Sequence, residues 1–233
     1  MSAAQKETPS ALTRSVEDYL KTIYHLSSHG GFASTSDIAG ILAVAPPSVS
    51  GMVRRLSEAG LIEHVPYRGV QLTNQGRRAA LRTIRRHRIL ESYLVRSLGY
   101  DWDGVHDEAE RLEHVVSDDL IGRMAAALGD PPYDPHGAPI PTADGDIEEE
   151  ELVALADVAV GATVVLRQVH DGDAARLRYL AEQELTPGAR LTVTARQPFN
   201  GPTMVDLNGA QRIVGRDLAA TIWCAPLTTQ EAV

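Results

Sequence analysis

A chain of 233 residues with 43% hydrophobic residues is long enough for two or three compact domains with ordinary cores. Its single cysteine, Cys224, excludes an intramolecular disulfide and a thiolate metal site, and no apolar run reaches the length of a membrane span. The net charge of −9 is unevenly distributed: residues 1–96 hold 13 Lys and Arg against 7 Asp and Glu, the rest 9 against 24, so the first third alone is suited to an anionic partner, nucleic acid foremost. The opening MSAAQKETPSALTR has no signal-peptide core, and the expected chain is soluble and cytoplasmic.

Residues 16–26 place apolar side chains at 16, 19, 20, 23, 24 and 26, a helical stripe that Gly30-Gly31 breaks. Ser36 to Val44 reads as a short helix with a polar N-cap, and Ala45-Pro-Pro-Ser48 as a tight turn with Pro47 in the first turn of the next helix. That helix, Val49 to Ala59, turns Val49, Met52, Val53 and Leu56 inward and ends at Gly60. Residues 61–65 and 70–73, around Pro66-Tyr-Arg-Gly69, read as a β-hairpin. Two short helices around a turn, followed by a hairpin, predict a winged helix-turn-helix. Its second helix offers DNA Pro47, Ser48, Ser50 and Gly51, then Arg54 and Arg55, and the wing offers Tyr67 and Arg68. A small Ser48 can approach a thymine methyl or donate to a base or phosphate; the arginines suit phosphates.

The next segment carries the chemistry. In His106-Asp-Glu-Ala-Glu110-Arg-Leu-Glu113-His114 the ligand-type residues recur at i, i+4, i+7 and i+8, one face of a helix with no Lys or Arg among them. Upstream, His87 and Glu91 repeat the i, i+4 spacing. An exposed acidic helix with incidental histidines would explain one such pair. Two arrays of imidazoles and carboxylates without a counter-cation instead favour a divalent metal.

The proline-rich stretch 130–141 and the acidic run 144–151 read as a connector, with the proline segment either docked on the next domain as a polyproline II peptide or serving as a plain tether. Short β runs at 162–166, 191–194, 203–207 and 211–214, with a helix over 174–184, predict a small barrel. His136, in the proline loop, is within reach of a metal but reads first as an idle surface histidine, and it is not assigned as a ligand. His25, His29, His64 and His170 lack partners at ligand spacing, and Cys224 beside Trp223 reads as a core residue.

Taken in order, Glu17-Asp-Tyr-Leu-Lys-Thr-Ile-Tyr24, Pro47-Ser-Val-Ser50, Val70-Gln-Leu-Thr73 with Gly76-Arg, His87-Arg-Ile-Leu-Glu91, Val105-His-Asp-Glu-Ala and Leu112-Glu-His-Val-Val-Ser-Asp118 resemble the diphtheria toxin repressor family of metal-dependent regulators, over about residues 13–145. The resemblance is nearest to its manganese transport regulator branch. It implies an α+β multidomain chain: a winged helix-turn-helix domain (1–73), an all-α dimerisation and metal-binding domain (74–142), an acidic linker (143–151) and an SH3-like, FeoA-like domain (152–233). It implies a homodimer bound to double-stranded operator DNA, with no membrane or small organic substrate. By the same resemblance Asp18, Glu110, Glu113 and His114 form the regulatory site, and His87, Glu91 and His106 a second one, to which the SH3-like domain adds Asp173; Arg176 stands where the family has a neutral amide. Iron-branch members have Cys and Met at the positions of Glu110 and Asp18, so the oxygen donors here favour the harder Mn²⁺ over Fe²⁺ or Co²⁺. Lys21 stands where short manganese regulators carry an extra acid, which favours two separated Mn²⁺ sites per subunit over a closely spaced pair. The expected function is a manganese-dependent transcriptional repressor governing metal homeostasis. An iron-dependent repressor, a metal-dependent enzyme and a protein-interaction module built on the barrel are the alternatives, and no catalytic residues are assigned.

Overall fold

The computed structural model describes residues 12–27, 31–65, 67–148 and 150–227, so Gly30 of the expected helix break, His29 and Pro66 of the expected wing turn lie outside the described residues. The chain divides into two compact units: residues 1–84 with 143–146, and residues 85–142 with 147–233. Among the described residues no single helix is long and apolar enough to cross a membrane.

In the first unit, α1 (Arg14–Ser27) buries Tyr19, Leu20, Ile23 and Tyr24. The helix-turn-helix is α2 (Thr35–Ile41) and α3 (Pro46–Glu58). The cap of α2 is Ser34, not the expected Ser36: its hydroxyl accepts the Asp37 N–H at 3.0 Å. Ala43, at φ 51°, turns the chain between the two helices, and α3 then opens on two prolines whose missing N–H groups cost nothing in a first turn. Val49, Val53 and Leu56 are buried, while Met52 is only half-buried. The hairpin pairs β1 (Ile62–Val65) with β2 (Gly69–Leu72), Ile62 opposite Leu72, and Tyr67 at its tip is fully exposed with φ 64°.

Helix α4 (Asn74–Leu98) is 25 residues long and runs from the first unit into the second. There it joins α5 (Val105–Leu112) and α6 (Asp118–Ala127) around Ile89, Leu90, Ala109, Ile121 and Ala125. The rest of that unit is a six-stranded antiparallel sheet. Its strands are β3 (Val153–Ala154), β4 (Thr163–Val169), β5 (Arg190–Arg196), β6 (Thr203–Leu207), β7 (Ala210–Val214) and β8 (Ile222–Pro226), in the spatial order β3-β8-β4-β5-β6-β7. Helix α7 (Ala174–Glu182) and the short α8 (Arg216–Ala219) complete it. Bulges in β4 and β5 bend the sheet over a core of Leu166, Leu177, Leu191, Val205, Ile222 and Cys224. Two strands escaped the sequence pattern: β8, where Ile-Trp-Cys-Ala-Pro is apolar throughout and offers no polar–apolar alternation, and the two-residue β3.

The proline-rich segment is no plain tether. Tyr133 pairs with Pro139 to close a loop, which excludes an extended polyproline II peptide. The Val169 N–H of β4 donates to His136 O at 3.0 Å, Arg85 Nη1 donates to Pro141 O at 2.7 Å, and Arg88 reaches Pro139 O. Gly137, at φ 87°, lies so close to Arg167 O that a Cβ would sit 1.8 Å from it, so only glycine fits.

Candidate metal centre and nucleic-acid interface

His87 and Glu91, one turn apart on α4, meet His106 from α5. His87 Nε2 lies 3.0 Å from Glu91 Oε1 and 3.2 Å from His106 Nδ1, and His106 Nδ1 lies 3.3 Å from the same Glu91 oxygen. The fourth donor is Asp171, whose Oδ2 is 3.6 Å from His106 Nδ1. His87, Glu91, His106 and Asp171 each bring a ligand atom within 4.8 Å of the others, as do Glu91, Asp134 and His136.

Asp173, expected as the acid from the SH3-like domain, has another task. It is the N-cap of α7, with Oδ1 accepting the Ala175 and Arg176 N–H groups at 3.0 and 3.1 Å, and Oδ2 pairing with Arg176 at 3.2 Å. Arg176 is thereby accounted for as the partner of a cap. The sequence signal was available: of the two acids in Asp171-Gly-Asp173, only the second immediately precedes a helical stripe.

His136, expected to be an idle surface histidine, is fully buried. Asp134 Oδ1 accepts the His136 and Ala138 N–H groups at 2.8 and 2.9 Å, an Asx turn that throws the imidazole inward. The ring stacks on Trp102 with centroids 5.4 Å apart, and Nε2 lies 2.8 Å from Trp102 O. A carbonyl only accepts, so Nε2 carries the proton, and in the neutral ring Nδ1 is left as a lone pair. Nδ1 is 3.6 Å from Glu91 Oε2, beyond hydrogen-bond reach, and neither buried atom has a hydrogen-bond partner among the described residues. A carboxylate oxygen and an imidazole nitrogen, both buried and neither hydrogen-bonded, fit a divalent cation.

In the absence of a cation the surrounding acids favour the protonated His136 ring, so a cation at His136 Nδ1 would take the place of that proton. Burial alone would raise the Glu91 carboxyl, but His87 and hydrogen bonds from the surrounding histidines hold it well below the usual range. Asp134 is pushed up to about 6 by burial and the neighbouring Glu91 charge, against the pull of Arg88. Burial would lower His136, yet Glu91, Asp134 and Asp171 raise it to about 9. Asp171, which burial and Glu91 would raise, is lowered by His106, His87 and His136.

A second group adjoins the first. Helix α5 stops at Leu112, so the expected four-residue helical stripe is interrupted: Glu113 is the C-cap and His114 lies in the turn beyond it. Ser117, capping α6 through the Leu120 N–H, fixes where that turn ends. The unwinding still leaves ligand atoms of Glu110, Glu113 and His114 within 4.8 Å of one another, with Glu113 fully buried. Arg111, as its offset requires, turns away to Glu108. His87 links the groups, its Nδ1 lying 2.5 Å from Glu113 Oε2 and 3.9 Å from Glu110 Oε1. Asp18, expected to join this group, lies half-buried on α1 of the first unit, 3.9 Å from Arg14.

On the first unit, Pro47, Ser48, Ser50, Gly51, Arg54 and Arg55 are all exposed along α3, and Tyr67 and Arg68 are exposed on the hairpin. Gly51 has open space around it, and Arg54 lies 3.8 Å from Glu58.

Known proteins place these parts. The N-terminal DNA-binding domain of iron-dependent repressors matches residues 11–70, their metal-binding and dimerisation domain matches 73–142, and the FeoA domain matches 153–226. The iron-dependent repressor IdeR of Mycobacterium tuberculosis is 34% identical over 206 residues, covering 83% of this chain and 89% of its own. The regulator MntR of Lysinibacillus sphaericus is 39% identical over 113 residues, 48% of this chain and 81% of its own. Among solved structures, a manganese-dependent transcriptional repressor in complex with manganese superposes with a TM-score of 0.84 at 41% identity, covering 91% of this chain and all of that one. The winged helix-turn-helix, the donor-rich helical domain and the SH3-like sheet, in this order and with these matches, establish that the chain belongs to the diphtheria toxin repressor family of metal-dependent transcriptional repressors.

Proposed function

We propose that the protein is a manganese-activated repressor that binds operator DNA as a homodimer and controls genes of metal homeostasis, in the cytoplasm. The observation that carries the metal dependence is the pair of buried ligand atoms without a hydrogen bond, Glu91 Oε2 and His136 Nδ1, 3.6 Å apart beside His87, His106 and Asp171. The donor chemistry supports manganese: Glu110, Glu113 and Asp18 are oxygen donors joined by the single imidazole of His114, and sulfur is absent from the set. The likeness to a manganese-dependent repressor at 41% identity supports the same choice, while IdeR at 34% keeps iron as the second reading.

The grouping of the donors supports two ions per subunit. His87, Glu91, His106 and Asp171, with Asp134 and His136 behind them, would hold one. Glu110, Glu113 and His114, completed by Asp18 of the DNA-binding unit as the family resemblance implies, would hold the other. A divalent cation supplies the positive charge these carboxylates lack and ties its donors together. Without it, the carboxylates of Glu110, Glu113 and Asp18 repel, and the DNA-binding unit loses its anchor. Exposed Ser48 and Ser50 then read bases, and Arg54, Arg55 and Arg68 neutralise phosphates.

The test is DNA binding by fluorescence anisotropy on duplexes from the chain's own promoter region, titrated anaerobically with Mn²⁺ and with Fe²⁺. Activation by Mn²⁺ at lower free concentration than Fe²⁺ is the expected result. Glu110→Cys combined with Asp18→Met should move the preference toward Fe²⁺ or Co²⁺. If the double variant keeps the parent's metal order, the assignment of the regulatory site is wrong; if Fe²⁺ activates the parent at lower concentration, the iron reading replaces manganese.

A further inference from the structure

The Arg68 guanidinium carbon lies 4.3 Å from the centroid of the Phe32 ring, within cation–π range. The contact is built into the wing. Ala33 pairs with Val70 through N–H···O bonds of 2.9 and 3.0 Å in both directions, adding one rung beside β2. Gln71 Nε2 donates to Gly31 O at 3.2 Å, which holds the preceding residue as well. Ala33 is buried, so Phe32, one residue earlier in extended chain, faces the other way, half-buried at the base of the wing. Gly69, at φ 123°, would place a Cβ 2.5 Å from Ala33 O, so the close approach that brings Arg68 over the ring depends on glycine there.

We propose that Phe32 is a positioning residue for DNA binding: its ring pre-orders Arg68 of the wing for contact with a backbone phosphate. The inference rests on the DNA-binding reading above. A guanidinium stacks by its face and donates from its edges, so the ring occupies the face and leaves the N–H fork for a bidentate phosphate contact. Among the described residues Arg68 has no acidic partner, whereas Arg54 lies against Glu58; the wing arginine therefore meets DNA with its charge uncompensated and its rotamer already selected. A ring that merely covers the wing base would not depend on what residue 68 is, and this separates the two roles.

The experiment is a double-mutant cycle. Affinity for a short fluorescein-labelled random-sequence duplex is measured at saturating Mn²⁺ for the parent, Phe32→Leu, Phe32→Tyr, Arg68→Ala and Phe32→Leu/Arg68→Ala. A phosphate contact is blind to sequence, so no operator is needed. Phe32→Leu should weaken binding about two- to fivefold when Arg68 is present and not at all in the Arg68→Ala background, while Phe32→Tyr should match the parent. In DNA-free protein, NMR should show the Arg68 Hδ protons shifted upfield by the ring in the parent and the Tyr variant, and unshifted in Phe32→Leu. Equal losses in both backgrounds, no loss in either, or an unshifted Arg68 in the parent overturn the inference while leaving DNA binding intact. A parent that binds no duplex with Mn²⁺ or Fe²⁺ overturns the DNA-binding reading, and the inference falls with it.

Discussion

The two donor groups that share His87 are built differently. The inner one draws on four parts of one unit: α4 (His87, Glu91), α5 (His106), the docked proline segment (Asp134, His136) and the sheet domain (Asp171). The outer one has Glu110, Glu113 and His114 from a single stretch at the end of α5, with Asp18 proposed from the other unit. A site whose donors all belong to one folded unit is pre-organised, and a cation there chiefly stabilises that unit. A site that must recruit a donor from elsewhere can instead change what the recruited part does. A switch can therefore reside only where a donor is recruited: metal at the inner group would act as a staple, metal at the outer group as a signal. His87 joins them chemically, since it donates to both Glu91 and Glu113 only when both ring nitrogens carry protons.

Asp18→Ala separates the two donor groups. Metal-dependent DNA binding should be lost, with the dimer still folded and one Mn²⁺ per chain still bound at the inner group, read by anisotropy and calorimetry side by side. The coupling must be reciprocal, so operator DNA should tighten Mn²⁺ binding in the parent and leave it unchanged in the variant. Wild-type activation by Mn²⁺ in Asp18→Ala would remove the outer group from the switch.

His136→Ala probes the inner group. A ligand at about 100 times its dissociation constant stabilises the state it binds by about 2.7 kcal/mol, which raises the melting temperature of a domain of 150 residues or so by roughly 5–10 °C. That increment should shrink in the variant while metal-activated DNA binding survives at higher Mn²⁺. Loss of DNA binding with an unchanged thermal increment would reverse the roles assigned to the two groups.

How much of this was legible in the sequence depends on what each residue answers to. The winged helix showed in its stripe, prolines and turn, because local pattern and capping chemistry decide it. His87 and Glu91 showed because helical spacing puts them on one face of α4, whereas their grouping with His106 of α5 came from the family resemblance. His136 and Asp171 did not show, because their roles are set by contacts between segments far apart in the chain: an Asx turn facing Trp102, and a loop of the sheet facing α5. Asp173 misled for a local reason, since an acid before a helix serves the helix first. The interrupted stripe at Glu113 was hidden because helix ends follow the next cap, here Ser117, as much as their own residues.

Gly137→Ala tests whether the proline segment holds the inner group together. The new Cβ would meet Arg167 O and force a residue at positive φ, so the loop must shift, at about 1–3 kcal/mol. Denaturant unfolding should show that loss, and Mn²⁺ affinity at the inner group should fall with it, while the outer group and its DNA response stay near the parent's. Unchanged Mn²⁺ affinity in a destabilised variant would mean that Asp134 and His136 do not act as ligands.

Arg178→Ala, at the surface of the same unit, should change little. Arg178 Nη1 on α7 reaches Asp103 Oδ2, just before α5, at 2.9 Å, so this ion pair also spans the sheet and the helical part of the unit. Its length is comparable with that of the His87–Glu91 contact, 3.0 Å, in the inner group. Its setting differs: the arginine side chain is 59% exposed, so water and salt screen the pair and the long side chain gives up rotamer entropy to hold it. Exposed pairs of this kind contribute about 0–1 kcal/mol. Removing it should lower stability by no more than that, with the loss fading at high salt and both Mn²⁺ affinities untouched. If Arg178→Ala instead cost as much as Gly137→Ala, or weakened the inner group, then surface charge and not the buried donors would be holding the sheet against the helices, and the inner group could no longer be regarded as the staple.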